Sequence, residues 1–76
     1  MLYRCKYDSI ILRQIEYDYR DNCFYFTNAD KLIRNCQNKI TLCLEKQVIS
    51  FQKLEIIKVL INNQSGWVFE YNFQKI

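Results

Sequence analysis

A chain of 76 residues with a formal net charge of +3 has room for one domain, which we predict to span residues 1–76. The absence of His excludes the common Ser-His and Cys-His catalytic pairs, and a single Gly excludes the glycine-rich loops that bind phosphates. Half of the residues are apolar and a quarter charged, which is typical of a folded chain.

The first third of the chain predicts three strands. Residues 2–7, 10–19 and 23–27 are rich in β-branched and aromatic side chains, and short polar stretches separate them. Within residues 10–19, apolar and polar side chains alternate, which indicates a strand with one face toward water.

A helix is predicted next, over residues 29–37. Thr27 or Asn28 can cap it, Asp30 lies in its first turn, and the apolar residues 32, 33 and 36 form a stripe at helical spacing. Residues 39–44 then alternate as a strand should, with Ile40, Leu42 and Leu44 on one side, and residues 45–47 resemble a hairpin loop.

The segment from 48 to 61 is ambiguous. It contains no Gly or Pro, so a second helix over about residues 45–61 stays open, but its many Val and Ile residues favour two strands, 47–51 and 54–61, with a break near Gln52 and Lys53. Residues 62–66 read as a turn in which Gly66 supplies a positive φ, and residues 67–73 as the last strand.

Together these elements predict an α+β fold. The order is β-β-β-α-β-β-β-β, and short links between the strands favour a small, curved, antiparallel sheet packed on one short helix.

The four cysteines predict reduced core thiols. Cys5, Cys23, Cys36 and Cys43 follow no secretory signal and lack the paired spacing of zinc ligands, and each lies in an apolar or patterned stretch. The composition, rich in Ile, Asn and Lys, indicates an AT-rich genome. We therefore expect a cytoplasmic protein of an AT-rich bacterial host, without a membrane span and without a cofactor.

An acidic group at Glu16, Asp18 and Asp21 is the one candidate for a metal site, since carboxylates bind Mg²⁺. Solvated charge pairs with Arg13 and Arg20 on a strand surface explain the same residues more simply. We predict no metal site and no enzyme.

The candidate interaction surface lies in the first twenty residues, where tyrosines and cations are concentrated. Such side chains can stack on bases and follow phosphates, and they are equally enriched in protein interfaces. Trp67, Phe69 and Tyr71 form a second candidate patch, although an ordinary core explains them better. The eight predicted surface residues are Tyr3, Arg4, Lys6, Tyr7, Arg13, Tyr17, Tyr19 and Arg20.

The leading hypothesis is a small non-enzymatic binding protein that occupies a surface on a larger protein or ribonucleoprotein complex. Small inhibitors encoded by phages or mobile elements, including anti-CRISPR proteins, fit this profile by class analogy. Two alternatives stay open: a nucleic-acid-binding regulatory module that uses the first strands, and a homo-oligomeric structural subunit such as a homodimer.

Overall fold

The computed structural model describes residues 1–49 and 53–76, and in these residues the chain forms nine β-strands and one 3₁₀ turn. The strands are β1 (Leu2–Cys5), β2 (Ile10–Leu12), β3 (Ile15–Asp18), β4 (Cys23–Phe26), β5 (Lys31–Ile33), β6 (Ile40–Ile49), β7 (Leu54–Ile61), β8 (Gln64–Phe69) and β9 (Phe73–Lys75). The 3₁₀ turn, Glu70–Asn72, links β8 to β9.

The long strand β6 organises the larger sheet. Its first residues pair with β1, most of its length pairs with β7, and Ile49 pairs with Phe24 of β4 in parallel orientation. Strand β9 extends this sheet beyond β1, β8 extends it beyond β7, and β3 extends it beyond β4. Strands β2 and β5 form a second sheet, which a backbone bridge between Arg13 and Trp67 joins to β8.

The core lies between these two sheets and follows the period-two alternation of the strands. On β7, for example, Ile57, Val59 and Ile61 are buried, and each such side chain contributes about 1.5 to 3 kcal/mol on burial. The main cluster consists of Tyr3, Cys5, Ile10, Leu12, Ile33, Cys36, Ile57, Val59, Ile61, Val68 and Phe73.

The predicted α+β class is wrong, because the described residues are almost entirely strands. The segment expected to form a helix over 29–37 contains β5, which pairs with β2, and Asn35 adopts a positive φ of 59°. Leu32 is exposed while Ile33 is buried, which is strand alternation rather than a helical stripe. Nine residues are too few for a stable isolated helix, so pairing with β2 decides the conformation.

The expectation of a purely antiparallel sheet is also wrong, since β4 and β6 pair in parallel. Residues 45–47 form part of β6 instead of a hairpin loop, and the second helix over about 45–61 is excluded by β6 and β7. The polar residues here belong in the strand because Lys46 pairs with Glu55 and Glu70, at 3.5 and 3.0 Å. The predicted strand 47–51 and break at Gln52 extend outside the described residues, while Lys53 lies in a turn.

Two predicted strands are interrupted. The stretch 10–19 divides into β2 and β3, because the backbone of Arg13 pairs with Trp67 of β8 and belongs to neither strand. The stretch 67–73 divides at the 3₁₀ turn, so that Tyr71 lies outside the regular strand pattern.

The turn between β7 and β8 uses Asn62 and Asn63, whose φ angles are 51° and 62°. Gly66, predicted to supply the positive φ, lies inside β8 and is buried. Asn tolerates the left-handed region better than other non-glycine residues, which explains why two adjacent asparagines suffice for this turn.

The four cysteines are free, and Cys5, Cys23 and Cys36 are buried, in agreement with the prediction of core thiols. Burial raises the pKa of the Cys5 and Cys36 thiols, which keeps them neutral and apolar in character. In the described part of the chain, no helix has the length and apolar composition to cross a bilayer.

Candidate functional site

The most distinctive surface feature is the side chain of Tyr71, which is presented by the 3₁₀ turn between β8 and β9. Its ring is 57% exposed and stacks on Phe69, with the centroids 5.1 Å apart and the planes at 13°. Stacking fixes an aromatic ring that would otherwise move freely at the surface. We call this surface the Tyr71 site. It consists of Tyr71, Phe69, Arg13 and the side chains that line the two grooves beside Tyr71.

Arg13 forms the second part of the Tyr71 site. Its guanidinium carbon lies 5.3 Å from the ring centroid of Phe26 and 5.6 Å from that of Phe69, within cation–π range. The two rings meet edge to face at 5.5 Å, and Asp30 pairs with the guanidinium at 3.4 Å. Residues from three other segments, Phe26, Phe69 and Asp30, therefore hold one half-buried cation in place.

Two grooves flank Tyr71, one on each side. The first has a volume of about 370 Å³ and the second about 540 Å³. The first is lined by Ser9, Ile10, Ile11, Arg13, Leu32, Phe69, Tyr71 and Asn72, and the second by Val48, Lys53, Leu54, Glu55, Glu70 and Tyr71. In the first groove the side chains of Ile11 and Leu32, which are opposite each other in the β2–β5 pair, are half exposed.

The turn that carries Tyr71 is held by contacts from β1 and β6. The Tyr3 hydroxyl donates to Glu70 Oε2 at 2.7 Å, and Lys46 Nζ lies 3.0 Å from the same oxygen. Lys6 Nζ donates to the Tyr71 carbonyl at 3.1 Å, and the Lys6 amide donates to the Asn72 carbonyl. The backbone of the turn is thus positioned before any ligand arrives, which lowers the entropic cost of binding.

These contacts shift two ionisations in opposite directions. Burial, and then the hydrogen bond to the Glu70 carboxylate, raise the pKa of Tyr3 to about 12. The hydrogen bond from Tyr3, and then that from Lys46, lower the pKa of Glu70. At neutral pH the pair is therefore a neutral phenol that donates to a carboxylate.

We expect Tyr3→Phe to lower the free energy of unfolding by about 1 kcal/mol at pH 7, because Glu70 loses its buried donor. Tyrosine in the unfolded chain ionises near pH 10, below Tyr3 in the folded protein, so the wild type loses stability as pH rises from about 10 to 12. Phenylalanine cannot ionise, so the Tyr3→Phe variant lacks this part of the alkaline loss of stability. Urea unfolding at pH 7, 10 and 11 measures both effects.

The control is Tyr7→Phe, since the Tyr7 side chain is exposed and its loss of a hydroxyl leaves Glu70 unchanged. On the acid side, the lowered pKa of Glu70 gives stability that is present above the carboxyl's ordinary pKa and is lost as pH falls through the lowered value. Identical alkaline slopes for wild type and Tyr3→Phe would contradict this account.

Of the eight predicted surface residues, three contact the Tyr71 site. Arg13 forms its cation, and Tyr3 and Lys6 hold its turn, although Tyr3 itself is fully buried. The other five lie elsewhere. Arg4 is on the outer face of β1, Tyr7 follows β1, and Tyr17, Tyr19 and Arg20 are at the end of β3, where the rings of Tyr17 and Tyr19 meet edge to face at 5.0 Å.

The second predicted patch divides as well. Trp67 is buried at 5% exposure, as a core interpretation expects, whereas Phe69 and Tyr71 form the centre of the Tyr71 site. Sequence reasoning missed Phe26, Asp30 and the apolar side chains of Ile11 and Leu32 in the first groove. Phe26 and Asp30 have no local signal, since they approach Arg13 from strands and loops distant in sequence.

The acidic candidates do not converge on a metal. Glu16 accepts from the Tyr25 hydroxyl at 2.8 Å, and Asp18 accepts from the Arg20 amide at 2.8 Å. Across the described ranges, no group of three or more His, Cys, Asp or Glu side chains has the arrangement of a metal site. What the Tyr71 site can do chemically is bind, through stacking, apolar contact and one fixed cation.

No family model, curated protein or solved structure matches this chain.

Proposed function

We propose that the protein is a non-enzymatic binding protein that acts by occupying a surface on a larger protein, with the Tyr71 site as its contact surface. The observation that carries this proposal is an exposed tyrosine, stacked and held by its turn, between two grooves. Tyrosine and arginine dominate the energetic centres of protein interfaces, where rigid rings give a large contact area at small entropic cost.

The composition of the groove walls supports a protein partner. The first groove combines the apolar side chains of Ile11 and Leu32 with the fixed guanidinium of Arg13, which matches an apolar segment carrying hydrogen-bond acceptors. Asp30 already pairs with Arg13, and in the second groove Glu55 and Glu70 offset the charge of Lys53, so the two grooves together present no net positive charge to a polyanion. A partner protein fits this chemistry better than a phosphate backbone.

The setting we propose is the cytoplasm of an AT-rich bacterial host, with the protein encoded by a phage or mobile element as an inhibitor of a larger defence complex. A net charge of +3 argues against mimicry of DNA and favours steric blocking.

The nucleic-acid alternative depends on the remaining tyrosines. Tyr19 is 85% exposed and lies beside Tyr17 and Arg20, which offers rings for stacking at the end of β3. However, Asp18 and Asp21 flank Tyr19 and Arg20 in sequence, and Asp18 accepts a hydrogen bond from the Arg20 amide. Their negative charge disfavours the approach of phosphates.

A variant-controlled pull-down tests the proposal. The tagged protein is incubated with lysates of AT-rich bacteria, with and without nuclease, and its protein partners are identified by mass spectrometry. We expect a partner that survives nuclease and binds Tyr71→Ala at least about thirtyfold more weakly, the loss typical of a central interface tyrosine. Tyr19→Ala is the matched control, and it should bind as the wild type does.

Two results would contradict the proposal. Partners that disappear with nuclease, together with sensitivity to Tyr19→Ala, would assign binding to nucleic acid at the end of β3. A nuclease-resistant partner that binds Tyr71→Ala with unchanged affinity would remove the Tyr71 site from the interface.

A further inference from the structure

A second surface, separate from the Tyr71 site, is apolar and uncovered. It is the outer face of β9, β1, β6 and β7, where six aliphatic side chains are each 44 to 58% exposed. They are Leu2, Ile40, Leu42, Leu44, Leu60 and Ile76. We call this surface the aliphatic face.

Backbone pairing makes these side chains contiguous. Leu2 is directly opposite Leu42 in the β1–β6 pair, and the Ile76 amide donates to the Leu2 carbonyl at 2.9 Å. On the other side of β6, Thr41 Oγ1 bonds the backbone of Leu60, which brings Leu60 beside Leu42. The side chains are therefore neighbours across four strands, not isolated exposed residues.

The alternation of β6 makes this exposure unusual. The sequence predicts that Ile40, Leu42 and Leu44 share one side of the strand, and this apolar side is the exposed one: Thr41 is buried at 4% exposure while Ile40 and Leu42 point outward at 54% and 55%. Pairing with β1 and β7 fixes the register of β6. As a result, the more apolar side of residues 40–44 faces water.

The area matches what a dimer needs. Six half-exposed aliphatic side chains present roughly 500 Å², near the upper end of the largest apolar patch on a typical monomer. Two such faces in contact would bury about 1,000 Å² in total, which reaches the lower limit of a specific interface.

The charge of the aliphatic face favours a second copy over an unlike partner. Three charged side chains lie on this side of the described strands. Arg4 is opposite Ile40 in the β1–β6 pair, and Lys58, two residues before Leu60 on β7, is opposite Glu45 of β6. These charges are of mixed sign and form no cluster of one sign that would select a complementary partner. Two such largely apolar sheet faces related by a two-fold axis can stack at about 10 Å, as in a β-sandwich.

We propose that the aliphatic face is a homodimer interface, occupied by the aliphatic face of a second copy of this chain. The proposal is independent of the Tyr71 site, which lies on other residues and stays free in each copy. A dimer would therefore present two Tyr71 sites and bind a repetitive or two-fold target with increased avidity.

Sedimentation equilibrium of the full chain tests the dimer. From about 1 to 200 µM, the range in which so small an interface dissociates, we expect the wild type to change from monomer to dimer. High salt should leave the association unchanged or strengthen it, because apolar contact is not screened. Leu42→Lys should raise the dissociation constant by more than about a hundredfold, since each dimer would bury two unpaired ammonium groups.

Leu60→Lys repeats the test on another strand, and circular dichroism verifies that both variants are folded. Tyr71→Ala, outside the aliphatic face, should dimerise as the wild type does. A wild type that stays monomeric at 200 µM in low and high salt would overturn the proposal, and so would folded Leu42→Lys and Leu60→Lys variants that still dimerise. A pull-down in which Tyr71→Ala binds its partner with unchanged affinity would contradict the proposed function and leave the dimer result unaffected. The two proposals are therefore judged separately.

Discussion

Gly66→Ala is expected to lower the free energy of unfolding by about 2 to 3 kcal/mol, a large effect for the addition of one methyl group. A Cβ at position 66 would lie 2.7 Å from the Cβ of Leu12 and 3.4 Å from the Arg13 carbonyl oxygen. Neither atom is the end of a flexible side chain, so the sheets must move apart. In a domain of this size the melting temperature should fall by roughly 10 °C or more.

Thermal and urea unfolding, followed by circular dichroism, measure this cost. Ser65→Ala, at the exposed preceding position, is the control and should change stability by less than about 0.5 kcal/mol. A double-mutant cycle identifies the clash: Leu12→Ala keeps the opposing Cβ and should not relieve it, whereas Leu12→Gly should reduce the cost of Gly66→Ala. A wild-type melting curve for Gly66→Ala would show that β2 and β8 are farther apart than the structure has them.

Gly66 also illustrates why part of the fold could not be predicted from local sequence. A lone glycine shortly after two asparagines is typical of a turn, and the turn predicted over residues 62–66 is confirmed at Asn62 and Asn63 but not at residues 64–66, which begin β8. The glycine is needed for another reason, since the backbones of β2 and β8 approach closely around Leu12. That contact joins residues more than fifty positions apart, and no local pattern reports it.

Strands β1, β4 and β7 were predicted close to their observed bounds, although the segment that contains β7 was ambiguous between strand and helix. The errors occur where pairing between distant segments overrides local preference. Residues 29–37 have a plausible cap and apolar spacing for a helix, but Ile33 is buried as part of a strand against β2. Residues 45–47 look like a loop because they are polar, and their polarity is explained by the ion pairs of Lys46.

The candidate site was predictable only in part. An excess of Tyr, Arg and Lys in the first twenty residues drew attention to Tyr3, Lys6 and Arg13, and each contacts the Tyr71 site. The sequence gives no means to assign their roles, since Tyr3 is buried and acts on the turn through Glu70. The aromatic alternation of residues 67–73 did indicate Phe69 and Tyr71, but not that a 3₁₀ turn would begin after Phe69 and take Tyr71 out of the strand.

A second large effect is expected at two adjacent positions, Ile56 and Ile57 of β7. Both are fully buried, although consecutive strand residues point to opposite faces of a sheet. On one side Ile57 joins the main core with Val68, its partner on β8, and on the other Ile56 is paired with Phe69. Strand β7 is therefore covered on both faces at this point, which a simple one-sided sheet would not allow.

Each of Ile56→Ala and Ile57→Ala should lower the free energy of unfolding by about 3 kcal/mol, because a cavity replaces a close-packed side chain on either face. Leu32→Ala is the exposed control and should cost less than about 1 kcal/mol. Urea unfolding at one protein concentration compares the three variants. A cost below about 1 kcal/mol for Ile56→Ala alone would mean that the face shared with Phe69 is open to water, and the rigid support of Phe69 beneath Tyr71 would be lost with it.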